Sequence, residues 1–121
     1  SIPGISPDMQ KVQTLINLIK IDGTIKAEER EYAQTIIDNA DLTESEKTEL
    51  RQAIDKSGKF VVDYSAFASS PDDAIGLLVD MVTLAKRDDT FHITEKMFVK
   101  QVGKLLGFSE NDIDEMMVTS G

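Results

Sequence analysis

Lys11 to Gln52 aligns with Leu77 to Val118 at a constant shift of 66 positions and without a gap. Polar identities survive the shift: Lys20 meets Lys86, Asp22 meets Asp88, Thr24 meets Thr90 and Glu29 meets Glu95. Apolar character survives as well, pairing Leu15 with Met81, Ile16 with Val82, Leu18 with Leu84, Tyr32 with Phe98 and Ile36 with Val102. Further on, Leu42 meets Phe108, Thr43 meets Ser109 and Glu46 meets Asp112. A match of this length, with both classes preserved, marks an internal duplication. The chain must therefore fold as two versions of one unit, each burying its own copy of one apolar pattern.

Within a unit the pattern has the helical period. Ser6-Pro7-Asp8 predicts a helix start, with Ser at the cap and Pro at the first helical position. Val12, Leu15, Ile16 and Ile19 follow at helical spacing and predict a buried stripe. Ser70-Pro71-Asp72-Asp73 opens the second copy in the same way, with Ile75, Leu78, Val79, Val82 and Ala85 as its stripe. Middle helices are predicted from about Ala27 to Ala40 and from about Ile93 to Leu106, and third helices begin at Thr43 and Ser109. Thr43 with Glu46 has the capping-box spacing, and Ser109 with Asp112 is a shorter version of it.

Between the units, Ser57-Gly58 breaks the third helix, Lys59 to Val62 reads as extended, and Asp63 caps a short turn carrying Tyr64 and Phe67. Those two rings are expected to plug the core. Met81, Met97, Met116 and Met117 fall at core-type positions and are expected to fill the interior. Strand patterning is otherwise missing. The predicted fold class is all-α: one compact helical domain over residues 1–121, made of two duplicated three-helix units with about six to eight helices.

Composition removes several chemistries. The chain has no cysteine and a single histidine, His92, so thiolate and multi-imidazole metal sites and cysteine nucleophiles are excluded. With 22 acidic against 13 basic residues, a formal charge of -9 repels phosphate backbones, so nucleic acid is not an expected partner. No apolar run approaches the roughly 20 residues of a membrane span. The expected setting is the reducing cytoplasm, away from membranes.

The remaining chemistry lies in two acidic turns. One reads Asp22-Gly23-Thr24-Ile25-Lys26-Ala27-Glu28-Glu29, the other Asp88-Asp89-Thr90-Phe91-His92-Ile93-Thr94-Glu95. Each sets an Asp at the end of one helix and a Glu seven positions later in the first turn of the next. The first turn has the spacing of the back half of an EF-hand loop, in Asp22, Gly23, Ile25 and Glu29. The front half then falls on Leu18 and Lys20, and on Leu84 and Lys86 in the second copy, where ligand oxygens are required. A working EF-hand is therefore not expected.

A duplicated three-helix unit with Asp-Gly-x-Ile followed by Glu in the next helix resembles the TerB-like (tellurite-resistance) family, over about Met9 to Met117. That resemblance implies a compact helical domain linked to tellurite resistance and related stress responses, of a kind that occurs fused to other domains. It also implies metal-ion binding at Asp22 and Glu29 and at Asp88 and Glu95, for which the oxygen donors suit a divalent cation such as calcium, magnesium or manganese. The chain departs from the family pattern at Lys26 and His92, where a small or polar cap is usual, and at Asp89, which replaces the glycine.

Two accounts of these acids stand side by side. Glu29 and Glu95 lie near helix N-termini, where the macrodipole favours a negative charge by about 0.3–1 kcal/mol. Asp22 and Asp88 can order their turns by hydrogen bonding to backbone amides. Yet both Asp residues sit at helix C-terminal ends, where the dipole opposes them, which points to capping or cation binding as their task. Calcium wants about 6–8 oxygens, so two carboxylates make only a weak site. Asp112, Asp114 and Glu115 form a further acidic face suited to a basic partner.

The expected function is a non-catalytic binding module acting through an unidentified protein partner, with weak cation binding at the acidic turns. A purely structural interaction domain is the second reading. A metal-dependent phosphoester hydrolase is the third, against which stand the lack of a phosphate loop and the scarcity of arginine, at Arg30, Arg51 and Arg87 alone.

Overall fold

The computed structural model describes residues 6–23, 25–87 and 91–119. These residues form six α-helices and one 3-10 turn, and no strand occurs among them. No helix among the described residues is long and apolar enough to cross a membrane. The chain divides into two compact units, one running to Val62 and one starting at Asp63.

In the first unit α1 spans Pro7–Ile19, α2 spans Ala27–Asn39 and α3 spans Glu44–Ile54. Ser6 Oγ accepts the Met9 N–H at 3.2 Å and Pro7 occupies the first helical position, so α1 starts as its sequence requires. Val12, Leu15, Ile16 and Ile19 are all buried, joined by Ala33 and Ile37 from α2 and Leu50 and Ile54 from α3. Burying each large aliphatic side chain contributes about 1.5–3 kcal/mol, which makes this cluster the chief stabilising feature of the unit. Polar side chains are buried too: Gln10, Thr14 and Asn17 on α1 and Lys20 at its C-cap. Thr14 returns its hydroxyl to Gln10 O at 2.9 Å.

The stretch Lys59 to Val62 does not pair as a strand. A side chain takes the place of a partner strand: Asn17 accepts the Phe60 N–H at 2.8 Å and donates to Phe60 O at 2.9 Å. Lys20 reaches past the end of α3 to donate to Lys56 O. Its ammonium lies where the dipole of α3 is negative, which offsets part of the cost of its burial.

In the second unit a 3-10 turn at Tyr64–Phe67 precedes α4 at Pro71–Lys86, α5 at Ile93–Leu105 and α6 at Glu110–Thr119. Asp63 Oδ1 accepts the Ser65 N–H at 3.0 Å and caps the turn; Phe67 is buried, whereas Tyr64 is half-buried. Pro71 starts α4, but Ser70 makes no side-chain cap. The core consists of Ala74, Leu77, Leu78, Met81, Val82, Leu84 and Ala85 from α4, Val99 and Val102 from α5, and Ile113 from α6.

Two expectations for this core need correction. Ile75 is exposed, because the buried arc of α4 is set by Ala74, Leu77, Leu78 and Met81 and Ile75 falls beside it. Met97 is exposed as well, since Val99, Val102 and Gly103 turn the opposite side of α5 inward. Met81 is fully buried, and Met116 and Met117 are half-buried.

The duplicated units do not share every core residue. Ile37 of the first unit corresponds to Gly103 of the second. A Cβ at Gly103 would lie 2.7 Å from Cδ1 and 2.8 Å from Cγ1 of Ile113. Ile113 corresponds to Lys47, whose ammonium goes to Asp38 O. One unit fills its core with an isoleucine from the middle helix, the other with an isoleucine from the third.

Candidate functional site

α1 ends at Lys20, and the Gly23 N–H donates back to Lys20 O at 2.9 Å. Gly23 has φ +89, a left-handed backbone that glycine adopts without a Cβ penalty. Asp22 is exposed on this turn, and its carboxylate makes no hydrogen bond or ion pair with any described residue.

At the far side of the turn, Lys26 is the N-cap of α2 and its N–H donates to Glu29 Oε1 at 2.9 Å. An ammonium has no lone pair, so Lys26 cannot return the bond and the capping box is one-sided. The second unit repeats the arrangement: the His92 N–H donates to Glu95 Oε1 at 3.1 Å, and His92 itself is exposed. Asp88 and Asp89 lie outside the described residues.

At α3 the box is complete. Thr43 N–H donates to Glu46 Oε1 at 2.9 Å while Thr43 Oγ1 accepts the Glu46 N–H at 3.1 Å. Ser109 Oγ accepts the Asp112 N–H at 3.1 Å at the start of α6. Glu29 and Glu95 therefore hold the same position, with the same backbone bond, as Glu46. Each still has a second carboxylate oxygen, so the cap does not exhaust its capacity as a ligand.

Among the described residues, no group of three or more His, Asp or Glu side chains is arranged to hold a metal ion. Asp22 and Glu29 lie on either side of the turn that joins α1 to α2. Asp63 is the one described carboxyl held clearly below its ordinary range, at about 2, and hydrogen bonds from Ser65 are the main cause. It serves the 3-10 turn.

A family model described as Tellurite resistance protein TerB matches residues 9–118 of this helical, duplicated chain. The chain belongs to the TerB family. No curated protein and no solved structure gives a match. Both acidic turns of this TerB domain lie inside the matched span.

The sequence reading passed over one surface feature of the TerB domain. An open groove of about 530 Å³ runs between α4 and α6, lined by Ile75, Phe108, Asp112, Glu115, Met116 and Thr119. Its acidic residues were legible as a face. Its floor was not, because the periodicity that correctly places Leu78 and Val82 in the core places Ile75 there too, and Met116 falls at a core-type position.

Proposed function

We propose that this TerB domain is a non-catalytic, cytoplasmic binding module, associated with stress responses, that works through protein contacts. We infer that it holds a divalent cation weakly at its acidic turns, through Asp22 with Glu29 and Asp88 with Glu95. The observation that carries the cation is Asp22. It stands at the negative end of α1, exposed and without a described partner, at a position the duplication repeats as Asp88. A bound cation would offset the unfavourable charge at that helix end. With a carboxylate at each end of the turn and water completing the shell, magnesium, manganese or calcium at modest affinity suits the donor set.

The purely structural reading is favoured by the backbone bonds to Glu29 and Glu95, which give both residues a capping task without any ion. Amide NMR titrations with calcium, magnesium and manganese separate the two. Cation binding predicts saturable shifts or broadening centred on residues 21–29 and 87–95, lost turn by turn in Asp22→Asn and Asp88→Asn. A flat response in the wild type leaves capping as the whole role. Sustained turnover of phosphoester substrates with manganese would instead make the domain an enzyme.

A further inference from the structure

The duplication supplies an internal control for the groove between α4 and α6. Ile75 and Met116 correspond to Met9 and Leu50 in the first unit. Met9 and Leu50 are buried, at 5% and 0% exposure, whereas Ile75 is 45% exposed and Met116 is half-buried. The same positions are closed in one unit and open in the other, so fold maintenance alone does not require an open apolar floor here.

The third residue of the floor is placed by local backbone structure. Gly107 has φ +101, and α5 ends in a Schellman arrangement with Phe108 N–H donating to Gly103 O at 3.0 Å and Gly107 N–H to Lys104 O at 3.0 Å. This stop delivers Phe108 to the groove beside Ile75 and Met116.

The acids of α6 divide into two sets. Glu110 and Asp114 face the lysines of α5, with Lys100 at 3.8 Å from Glu110 and 3.2 Å from Asp114, and Lys104 at 3.9 Å from Glu110. Asp112 and Glu115 line the groove and make no ion pair with any described residue. An apolar floor bordered by carboxylates without an ion pair among the described residues is complementary to one kind of ligand surface, apolar in the middle and cationic at its edges.

We propose that this groove docks a basic amphipathic helix of a partner protein. Its apolar side chains, one helical turn apart, would lie on Ile75, Phe108 and Met116, with Lys or Arg against Asp112 and Glu115. The trough between two helices suits a third helix, and Met116 adapts its flexible thioether to anchors of different shape. A nucleic acid or an anionic lipid surface is repelled by the same carboxylates and by a formal charge of -9. The proposal is independent of the cation reading, since no residue of the acidic turns takes part.

The test uses a model peptide of about four helical turns, built from Leu and Lys at helical spacing, titrated into the isotopically labelled whole chain. The wild type is compared with two groove variants, Ile75→Glu and Asp112→Asn with Glu115→Gln. Docking in the groove predicts shifts centred on α4, Phe108 and α6, and weaker binding by about fivefold or more in each variant. The Ile75→Glu variant is the sharp arm because it makes the protein more acidic. Attraction by net charge alone predicts that it binds the peptide more tightly, and that result would overturn the proposal.

Equal weakening by Glu28→Gln with Glu31→Gln, on exposed acids of α2, would overturn it too. So would concentration-dependent shifts without peptide that join the groove to Ile93 and Met97, because the occupant would then be a second copy of this chain. Unchanged amide dispersion and melting temperature in the Ile75→Glu protein ensure that lost binding reports on the groove.

Discussion

Asn17 does at one residue what a neighbouring strand does over several. Its amide donates and accepts at once, satisfying both backbone groups of Phe60 where the chain leaves α3. Gly103 does the reverse, contributing by what it lacks: the space of its Cβ is taken by the fully buried Ile113. Gly103→Ala should gain up to about 1 kcal/mol of helix propensity but lose about 1–3 kcal/mol to crowding, for a net destabilisation of about 1 kcal/mol. Urea denaturation measures it, and Ile113→Val in the same chain should recover part of the loss through coupling between the two sites. Net stabilisation by Gly103→Ala would mean that Ile113 repacks freely.

Asp63 makes the stability of the chain depend on pH. Its carboxyl is held at about 2 in the folded chain against 3.8 ordinarily, so the ionised form is favoured by folding. That contribution is fully present above the unfolded value and disappears as pH falls through the folded one. Between about pH 5 and pH 2.5 the wild type should therefore lose more stability than Asp63→Asn, as read from urea midpoints. Parallel loss in both proteins would show that the Ser65 bonds do not favour the ionised carboxylate.

At the level of elements, the helix ends were the most legible part of the fold. Ser6, Thr43 and Asp63 each accept the backbone N–H that their sequence position predicts. Ser70 shows the limit of that inference, since a Ser-Pro pair starts α4 without a side-chain cap. The Schellman end of α5 was not foreseen, although Gly107 stands directly before Phe108. Gly107→Ala should cost about 1 kcal/mol, because a Cβ is disfavoured at φ +101. It should also shift the amide resonances of Phe108 and the first turn of α6. A loss of stability confined to α5, with Phe108 unmoved, would separate the helix stop from the groove.

For the molecule as a whole, cation binding is a linkage question. An ion that binds only the folded chain raises its stability, by about 2.7 kcal/mol at a hundredfold excess over Kd. Calcium or magnesium in the millimolar range should therefore raise the melting temperature of the wild type, and by less in Asp22→Asn with Asp88→Asn. An equal rise in both proteins would trace the effect to general screening of an acidic chain, whose carboxylates outnumber its lysines and arginines.

The all-α class, the duplication, the family and the approximate start of each helix were legible in the residues alone. Those properties follow from local chemistry: side-chain period, caps and turn residues act within a few positions of one another. The TerB match over residues 9–118 agrees with the span that the repeat and its acidic turns indicated. Which members of an apolar stripe become core depended instead on packing between helices. Ile75 and Leu78 belong to one predicted stripe, yet Ile75 opens onto a groove and Leu78 is fully buried. Periodicity fixes the angle at which a side chain leaves its helix, but burial depends on what another helix places opposite it. That arrangement also allowed Ile113 to occupy in one unit the kind of core volume that Ile37 fills in the other.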